Sequence, residues 1–338
     1  LTIMRNKLFI SAFLILTLFS CSKNSFKVNV EMENAKGRTA YLQKIIDRET
    51  VNIDSVVIEN KYFTFDVKNN KNNEILHLYI NGWRRSVPFV ADSKDVNIKG
   101  DFNAYNKLDI TASETQKILD NFNEKFNKTE NDEHKKILVS DFVKNCPESV
   151  LSHYLLYRYK WAFQLNELKS ITYYFPKNFK TGYLGKIEEY IELLERSEKG
   201  KHFIDFTLNN TEGQAVSLSS LIGKHKLVMI DFWASWCPDC RVENPNVVAV
   251  YNDYKDKGLE IISVSLDTDK NAWLKGIHDD NLVWENHVSA LKGWNCPAAS
   301  EYGVAFIPQN VLINDEGIIV AKNLDGEKLR NFVLHYLK

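Results

Sequence analysis

Lys226-Leu227-Val228-Met229-Ile230-Asp231-Phe232-Trp233-Ala234-Ser235-Trp236-Cys237-Pro238-Asp239-Cys240 is the stretch that decides the fold. Its first nine residues form a nearly unbroken apolar run with β-branched and aromatic members, as in a strand buried on both faces. The run passes directly into the two cysteines. Arg241-Val242-Glu243-Asn244-Pro245-Asn246-Val247-Val248-Ala249-Val250-Tyr251 follows as a helix with a proline inside it. Gly258 ends that helix, and 259–266 form a second buried strand. A short amphipathic helix is expected over 271–279. Gln309-Asn310-Val311-Leu312-Ile313-Asn314 and Ile318-Ile319-Val320, joined at Asp315-Glu316-Gly317, make a hairpin. Asp325 caps a last helix over 327–338. Strand, helix, strand, hairpin and helix in that order make an α/β domain at 201–338. Two residues between the cysteines place the second sulfur one turn on, within reach for a disulfide.

Upstream, the periodicity changes twice. Phe26-Lys27-Val28-Asn29-Val30, Tyr62-Phe63-Thr64-Phe65-Asp66-Val67 and Leu76-His77-Leu78-Tyr79-Ile80 alternate with period two, and polar turns separate them. This predicts a small antiparallel β-domain, a sandwich or barrel, over 26–111. Trp83-Arg84-Arg85 reads as a solvated strand end rather than a binding patch. From Ala112 the period lengthens to that of a helix. Ser113 and Glu114 resemble an N-cap with an acidic first turn, and Ile118, Leu119, Phe122 and Phe126 form one apolar face. Further helices are expected over 133–144, 148–163, 165–175 and 182–196, so 112–200 is a helical linker region. Tyr154-Leu155-Leu156-Tyr157 reads as helix core. Cys146, beside Pro147, is expected to be a buried structural thiol.

The strand ending Asp231-Phe232-Trp233-Ala234, the Trp236-Cys237-x-x-Cys240 turn and the prolines Pro245 and Pro308 resemble the thioredoxin fold. The longer pattern Trp236-Cys237-Pro238-Asp239-Cys240-Arg241-Val242-Glu243-Asn244-Pro245 is similar to the TlpA/ResA-like envelope thiol-disulfide oxidoreductases of the AhpC/TSA-related superfamily. Phe203-Ile204-Asp205-Phe206 and Val216-Ser217-Leu218-Ser219-Ser220-Leu221 resemble that branch's opening hairpin. Tyr302-Gly303-Val304 and Ile307-Pro308 match its distal segment. The resemblance covers about 201–338. The β-domain and helices ahead of it resemble a Bacteroidetes arrangement whose N-terminal domain has no assigned function.

The resemblance and the chemistry point the same way. A cysteine at a helix N-terminus meets free N–H groups and the positive end of the dipole, which favour thiolate. Cys237 is thus expected to be the exposed nucleophile and Cys240 the buried resolving thiol. Asp231 matches the buried carboxylate of thioredoxins and Glu243 the acid of the TlpA/ResA-like helix. Either is placed to move protons to or from Cys240. Pro308 resembles the cis-proline that packs against the cysteines. With Ile307 before it, substrate pairing would use the Ile307 backbone in strand addition. Trp236 would shield the thiolate and offer an apolar docking surface. Asp239, between the cysteines, opposes the dipole and points to a reductant rather than an oxidant.

Other chemistries fit poorly. Structural zinc needs four ligands, and no second CxxC or HxxxH completes a set. The peroxidase pattern Pro-x-x-x-Thr-x-x-Cys is absent, with Ala234 and Ser235 ahead of Cys237. Cys296 is isolated and reads as a buried thiol. No metal or cofactor is called for. Lysine and arginine total 43 against 44 acids, a net charge of −1, which excludes the basic excess of a nucleic-acid binder. The length of 338 residues suits about two domains, and 44% hydrophobic residues exclude general disorder.

The chain's first segment is an address. Met4 opens a positive start with Arg5 and Lys7, and an apolar run of about a dozen residues comes next. That is too short for the ~20 needed to span a bilayer, so 1–20 reads as a signal peptide. Leu18-Phe19-Ser20-Cys21 resembles the bacterial lipobox, which would make Cys21 the acylated N-terminus and 21–25 a tether. The expected location is the envelope of a Gram-negative bacterium, lipid-anchored and facing the periplasm, where disulfides form. Expected partners are disulfides of periplasmic proteins, an upstream thiol electron donor and the membrane. The competing reading is a lipid-anchored binding or adaptor protein with a redox-sensing thioredoxin-like domain.

Overall fold

A computed structural model describes residues 25–46, 49–68, 74–92 and 94–338. Cys21 and the signal segment lie outside them. The chain divides between Lys125 and Phe126 into two units.

In the first unit the alternating segments are strands: β1 (Ser25–Glu33), β2 (Thr39–Ile46), β3 (Glu49–Val57), β4 (Tyr62–Lys68), β5 (Glu74–Ile80), β6 (Val87–Ala91), β7 (Val96–Asp101) and β8 (Asp109–Thr111). They form two four-stranded sheets, β4-β1-β7-β8 and β3-β2-β5-β6. Val28, Val30 and Phe65 of one sheet share a core with Leu42, Leu78 and Phe89 of the other, which makes a sandwich. β4 alternates as its sequence predicts: Phe63, Phe65 and Val67 point in, Tyr62, Thr64 and Asp66 out. The expectation of a wholly antiparallel domain fails at one place, because β1 and β7 pair parallel. Alternation marks a face and is silent about partners. Trp83 corrects the solvated-strand-end reading. Its ring is buried and its Nε1 donates to the Phe102 carbonyl at 2.9 Å, while Arg84 and Arg85 are exposed.

Helix α1 (Glu114–Lys128) runs across the division. Its buried face holds Leu119 and Phe122 as expected, but Ile118 is 45% exposed and Gln116 is buried. Gln116 Oε1 accepts from the Val90 N–H at 2.8 Å and satisfies a β6 backbone group, a duty no aliphatic side chain can perform.

The second unit begins with α2 (Asp132–Asn145), α3 (Val150–Tyr159), α4 (Leu165–Thr172) and α5 (Gly182–Arg196). Val150 to Leu156 are all buried, so Tyr154, Leu155 and Leu156 are core as expected, while Tyr157 at the end of the run is half-buried. The helix expected over 148–163 stops early. A 3-10 turn, Lys160–Ala162, succeeds α3 and leaves Trp161 38% exposed. Cys146 is exposed, against expectation. It is the C-cap of α2, where its carbonyl accepts from the Ser149 N–H and the Ser152 hydroxyl while Val139, Val143 and Leu151 fill the core.

The remaining elements are β9 (Thr207–Asn210), β10 (Ala215–Ser217), β11 (Leu227–Trp233), α6 (Pro238–Tyr254), β12 (Leu259–Ser265), α7 (Lys270–Asp279), β13 (Asn286–Ser289), α8 (Pro297–Glu301), β14 (Gln309–Asn314), β15 (Ile319–Lys322) and α9 (Gly326–Tyr336). The sheet order is β10-β9-β13-β12-β11-β14-β15. β11, β12 and β13 are parallel, and β14 is antiparallel to β11. This is the thioredoxin-like α/β fold that the sequence predicts. All seven residues of β11 are buried, because it lies between β12 and β14 with both faces covered. Its C-terminal end delivers the chain to the cysteines. Gly258 ends the helical stretch at φ 109°, a left-handed conformation that suits glycine.

Candidate active site

Cys237 is the N-cap of α6 and Pro238 its first residue, where a missing N–H costs nothing. Cys237 and Cys240 are joined as a disulfide with Cα atoms 5.3 Å apart. The Cys240 N–H donates to Cys237 Sγ at 3.1 Å, so a free helix-end donor is aimed at the sulfur that leads the helix. Cys240 is fully buried. Cys237 corrects the expectation of an exposed thiol: in this bonded state it is only 4% exposed, covered by its surroundings. Trp236 beside it is 51% exposed, with its Nε1 donating to the Leu266 carbonyl at 3.3 Å.

Across from the cysteines, the Ile307–Pro308 peptide bond is cis, as the resemblance implies. The Ile307 carbonyl oxygen lies 3.7 Å from Cys237 Sγ. Asp231, on β11, is buried and accepts from the Ser263 hydroxyl at 2.8 Å. Burial pushes its carboxyl up to about 6, with the Ser263 bond pulling down and the Glu243 charge pushing further up. Trp284 Nε1 donates to Ser263 Oγ at 3.0 Å and so orients that hydroxyl toward the carboxylate.

Glu243, half-buried on α6, accepts from Asn246 Nδ2 at 2.7 Å and from the Gly326 N–H at 2.9 Å, which ties α6 to the start of α9. Asp325 holds the N-cap position there without a side-chain capping bond, its carboxylate turned to Lys328 Nζ at 3.2 Å, so Glu243 supplies the capping acceptor instead. Asp231, Asp239, Glu243, Ile307 and Pro308 line one cleft of about 440 Å³.

The family models that match are the AhpC/TSA family over residues 199–322 and a domain of unknown function, DUF4369, over residues 26–119. A thiol-disulfide oxidoreductase ResA of Halalkalibacterium halodurans is 32% identical over 127 residues, covering 38% of this chain and 69% of the relative. The one from Bacillus cereus is 30% identical over 149 residues, 44% of this chain and 82% of the relative. The chain belongs to the ResA-like thiol-disulfide oxidoreductases. Among solved structures, the thioredoxin domain of a thiol-disulfide oxidoreductase from Bacteroides vulgatus is 35% identical. It covers 42% of this chain and 99% of that one, with a TM-score of 0.39. A thiol-disulfide oxidoreductase from Bacteroides fragilis is 29% identical over 40% of this chain and 98% of that one, with a TM-score of 0.38.

Within this oxidoreductase domain the structure brings together Cys237, Cys240, Trp236, Ile307 and Pro308, and places Asp231 and Glu243 on one adjoining cleft. Sequence reasoning missed Asp267. It is buried and accepts from the Ser235 N–H at 3.0 Å, the Ser235 hydroxyl at 2.7 Å and the Ser265 hydroxyl at 2.8 Å. It thereby pins the turn that presents Trp236 and Cys237. An acid two residues past the end of a buried strand was the available signal. Arg241 was also missed; its Nη1 donates to the Ser235 carbonyl at 3.2 Å and its guanidinium pairs with Asp280. Cys296 is buried as expected, and burial pushes its thiol up. Among the described residues no group of three or more His, Cys, Asp or Glu side chains is placed to hold a metal, and no helix is long and apolar enough to cross a membrane.

Proposed function

We propose that this protein reduces disulfides of envelope proteins through the Cys237/Cys240 dithiol. In this reading residues 201–338 carry the catalysis, 112–200 link it to a β-domain at 26–111, and acylated Cys21 holds the chain at a membrane facing the periplasm. The observation that carries the reading is the N-cap position of Cys237, with the Cys240 N–H aimed at its sulfur. That donor and the helix start favour the thiolate, which is the attacking species.

The Cys237 thiolate attacks one sulfur of the substrate disulfide. A mixed disulfide forms, and the other substrate sulfur leaves as thiolate and takes a proton. Cys240 then loses its proton and attacks Cys237 Sγ, releasing the second substrate thiol and closing the enzyme disulfide. The substrate gains two electrons and two protons. An upstream dithiol must return the enzyme to its reduced form by the same exchange in reverse.

Asp231, whose carboxyl burial pushes up to about 6, and Glu243 are the acids we assign to take the Cys240 proton, because both line the cleft that Ile307 and Pro308 share. Trp236 offers an exposed aromatic surface to the substrate, and the backbone around Ile307 and Pro308 offers it hydrogen bonds. Substituting Cys240→Ser stops the sequence at the mixed disulfide. That variant should accumulate covalent adducts with envelope proteins through Cys237, released by reductant and absent when Cys237 is also replaced. A Cys240→Ser protein that traps nothing above the double variant refutes the mechanism.

A further inference from the structure

We propose that the helical segment ahead of the catalytic fold builds the second wall of a substrate groove, and that this groove takes an extended polypeptide carrying an apolar and a basic residue near its disulfide. The proposal rests on the dithiol reading above and names its substrate class. A cavity of about 940 Å³ lies between Phe306, Ile307 and Gln309 on the catalytic side and Trp161, Phe163 and Asp132 on the helical side. Phe306, Ile307 and Gln309 also line the Asp231/Glu243 cleft, so the cavity is continuous in its lining with the catalytic site. At about 940 Å³ it stands at the upper end of the ~300–1,000 Å³ of a small-molecule pocket, and suits several residues of chain.

Trp161 and Phe306 meet across the groove with ring centroids 6.2 Å apart at 60°. They remain 38% and 40% exposed, leaving two large aromatic faces open in a cavity also lined by Ile307, whose carbonyl lies 3.7 Å from Cys237 Sγ. Half-open aromatics of this kind are anchors for a partner's apolar side chain. The charge on the lining is unbalanced: Asp132, Glu133, Glu198 and Asp239 face Lys199 and Lys322. Lys322 is drawn inward, its Nζ donating to Ser197 Oγ at 3.0 Å, and burial pulls its ammonium down. The Asp132 and Glu133 side chains are 72% and 64% exposed, and each is held by a lysine outside the lining, Lys135 at 3.1 Å and Lys136 at 2.8 Å; such i,i+3 pairs contribute little in water, so a basic residue of the substrate can exchange for them. A basic residue therefore complements the rim.

The two walls are fixed to each other. Gly200 N–H donates to the Ile319 carbonyl at 2.8 Å, Ser197 Oγ to the Tyr302 carbonyl at 3.4 Å, and Arg196 pairs with Glu301 at 3.2 Å. The groove is thus formed before any substrate arrives, which lowers the cost of binding.

The test uses the full chain, reduced, and three disulfides: a peptide with Phe and Lys flanking its cystine, the same peptide with Ser and Glu there, and 2-hydroxyethyl disulfide, which carries neither kind of side chain. Wild type should reduce the Phe/Lys peptide with a kcat/KM at least about tenfold above the Ser/Glu peptide. Trp161→Ala should lose about tenfold on the Phe/Lys peptide and nothing on 2-hydroxyethyl disulfide, and Trp161→Phe should recover most of the loss. Asp132→Asn with Glu133→Gln should narrow the preference for the Phe/Lys peptide over the Ser/Glu peptide and leave 2-hydroxyethyl disulfide unchanged. Equal wild-type rates on the two peptides, or an equal Trp161→Ala loss on the small disulfide, overturns the groove while leaving the dithiol reading intact. A wild type inactive on all three overturns both.

Discussion

Asp231 supplies a test in which catalysis and stability part company. In the folded protein its carboxyl is pushed up to about 6 from an ordinary value of 3.8, chiefly because β11 buries it. Between those two pH values the folded chain holds a proton there that the unfolded chain has released. Stability then falls as pH rises: the contribution is complete below about 4 and is lost as pH passes through about 6. A gap of about two pH units corresponds to ~3 kcal/mol at ~1.4 kcal/mol per unit.

Asp231→Asn removes the titration. The amide still accepts from Ser263 and carries a roughly constant cost for its unpartnered N–H groups, which cancels when two pH values are compared. The assay is denaturant or thermal unfolding of the oxidised protein at pH 4 and pH 7. The wild-type-minus-variant difference should shift by ~2.4 kcal/mol against wild type between them, because the unfolded carboxyl is already about half ionised at pH 4. In a unit of this size that is about 5–10 °C in the midpoint at ~2–4 °C per kcal/mol. Reduction of a protein disulfide should slow in the same variant, since the proton acceptor is gone. Parallel wild-type and variant curves from pH 4 to pH 7 refute a buried, strongly raised Asp231.

Two further outcomes are expected. Brief alkylation of the oxidised protein should label Cys146, which is exposed, and spare Cys296, which is buried with its thiol pushed up; after reduction Cys237 should label before Cys240. Mass spectrometry of the peptides reads both steps, and early labelling of Cys240 or Cys296 reverses the assignment. Asp239→Asn should make the dithiol more oxidising by about 6–20 mV, because an exposed charge in the first helical turn is worth ~0.3–1 kcal/mol and ~30 mV equals ~1.4 kcal/mol. A glutathione redox titration in which the variant's potential stays put or falls removes Asp239 as a cause of reducing character.

What the sequence made legible is what local chemistry alone determines. The run 226–234 could only be a strand covered on both faces, and Cys237-Pro238-Asp239-Cys240 carries its helix start in its own residue types. The groups that act through space were the ones that stayed hidden. β13 has Val288 as its only aliphatic residue and is not among the strands that the sequence predicts, yet it pairs parallel with β12 and sets His287 opposite Ser263. Ser263 in turn was unreadable as the Asp231 partner until Trp284 and β12 were placed around it. Gln116 and Cys146 fail for a related reason. Polarity and apolarity predict burial only on average, and a buried backbone group such as the Val90 N–H draws in a polar side chain wherever it lies. Asp267 carries the same separation into the chemistry. Three hydrogen bonds from Ser235 and Ser265 make it the anchor of the turn that presents Cys237, yet it lies 32 residues along the chain from Ser235. The cysteines could be found from the sequence because the reagent is local; the frame that aims them is spread over β11, β12 and the strand beyond, and only the folded chain brings it together.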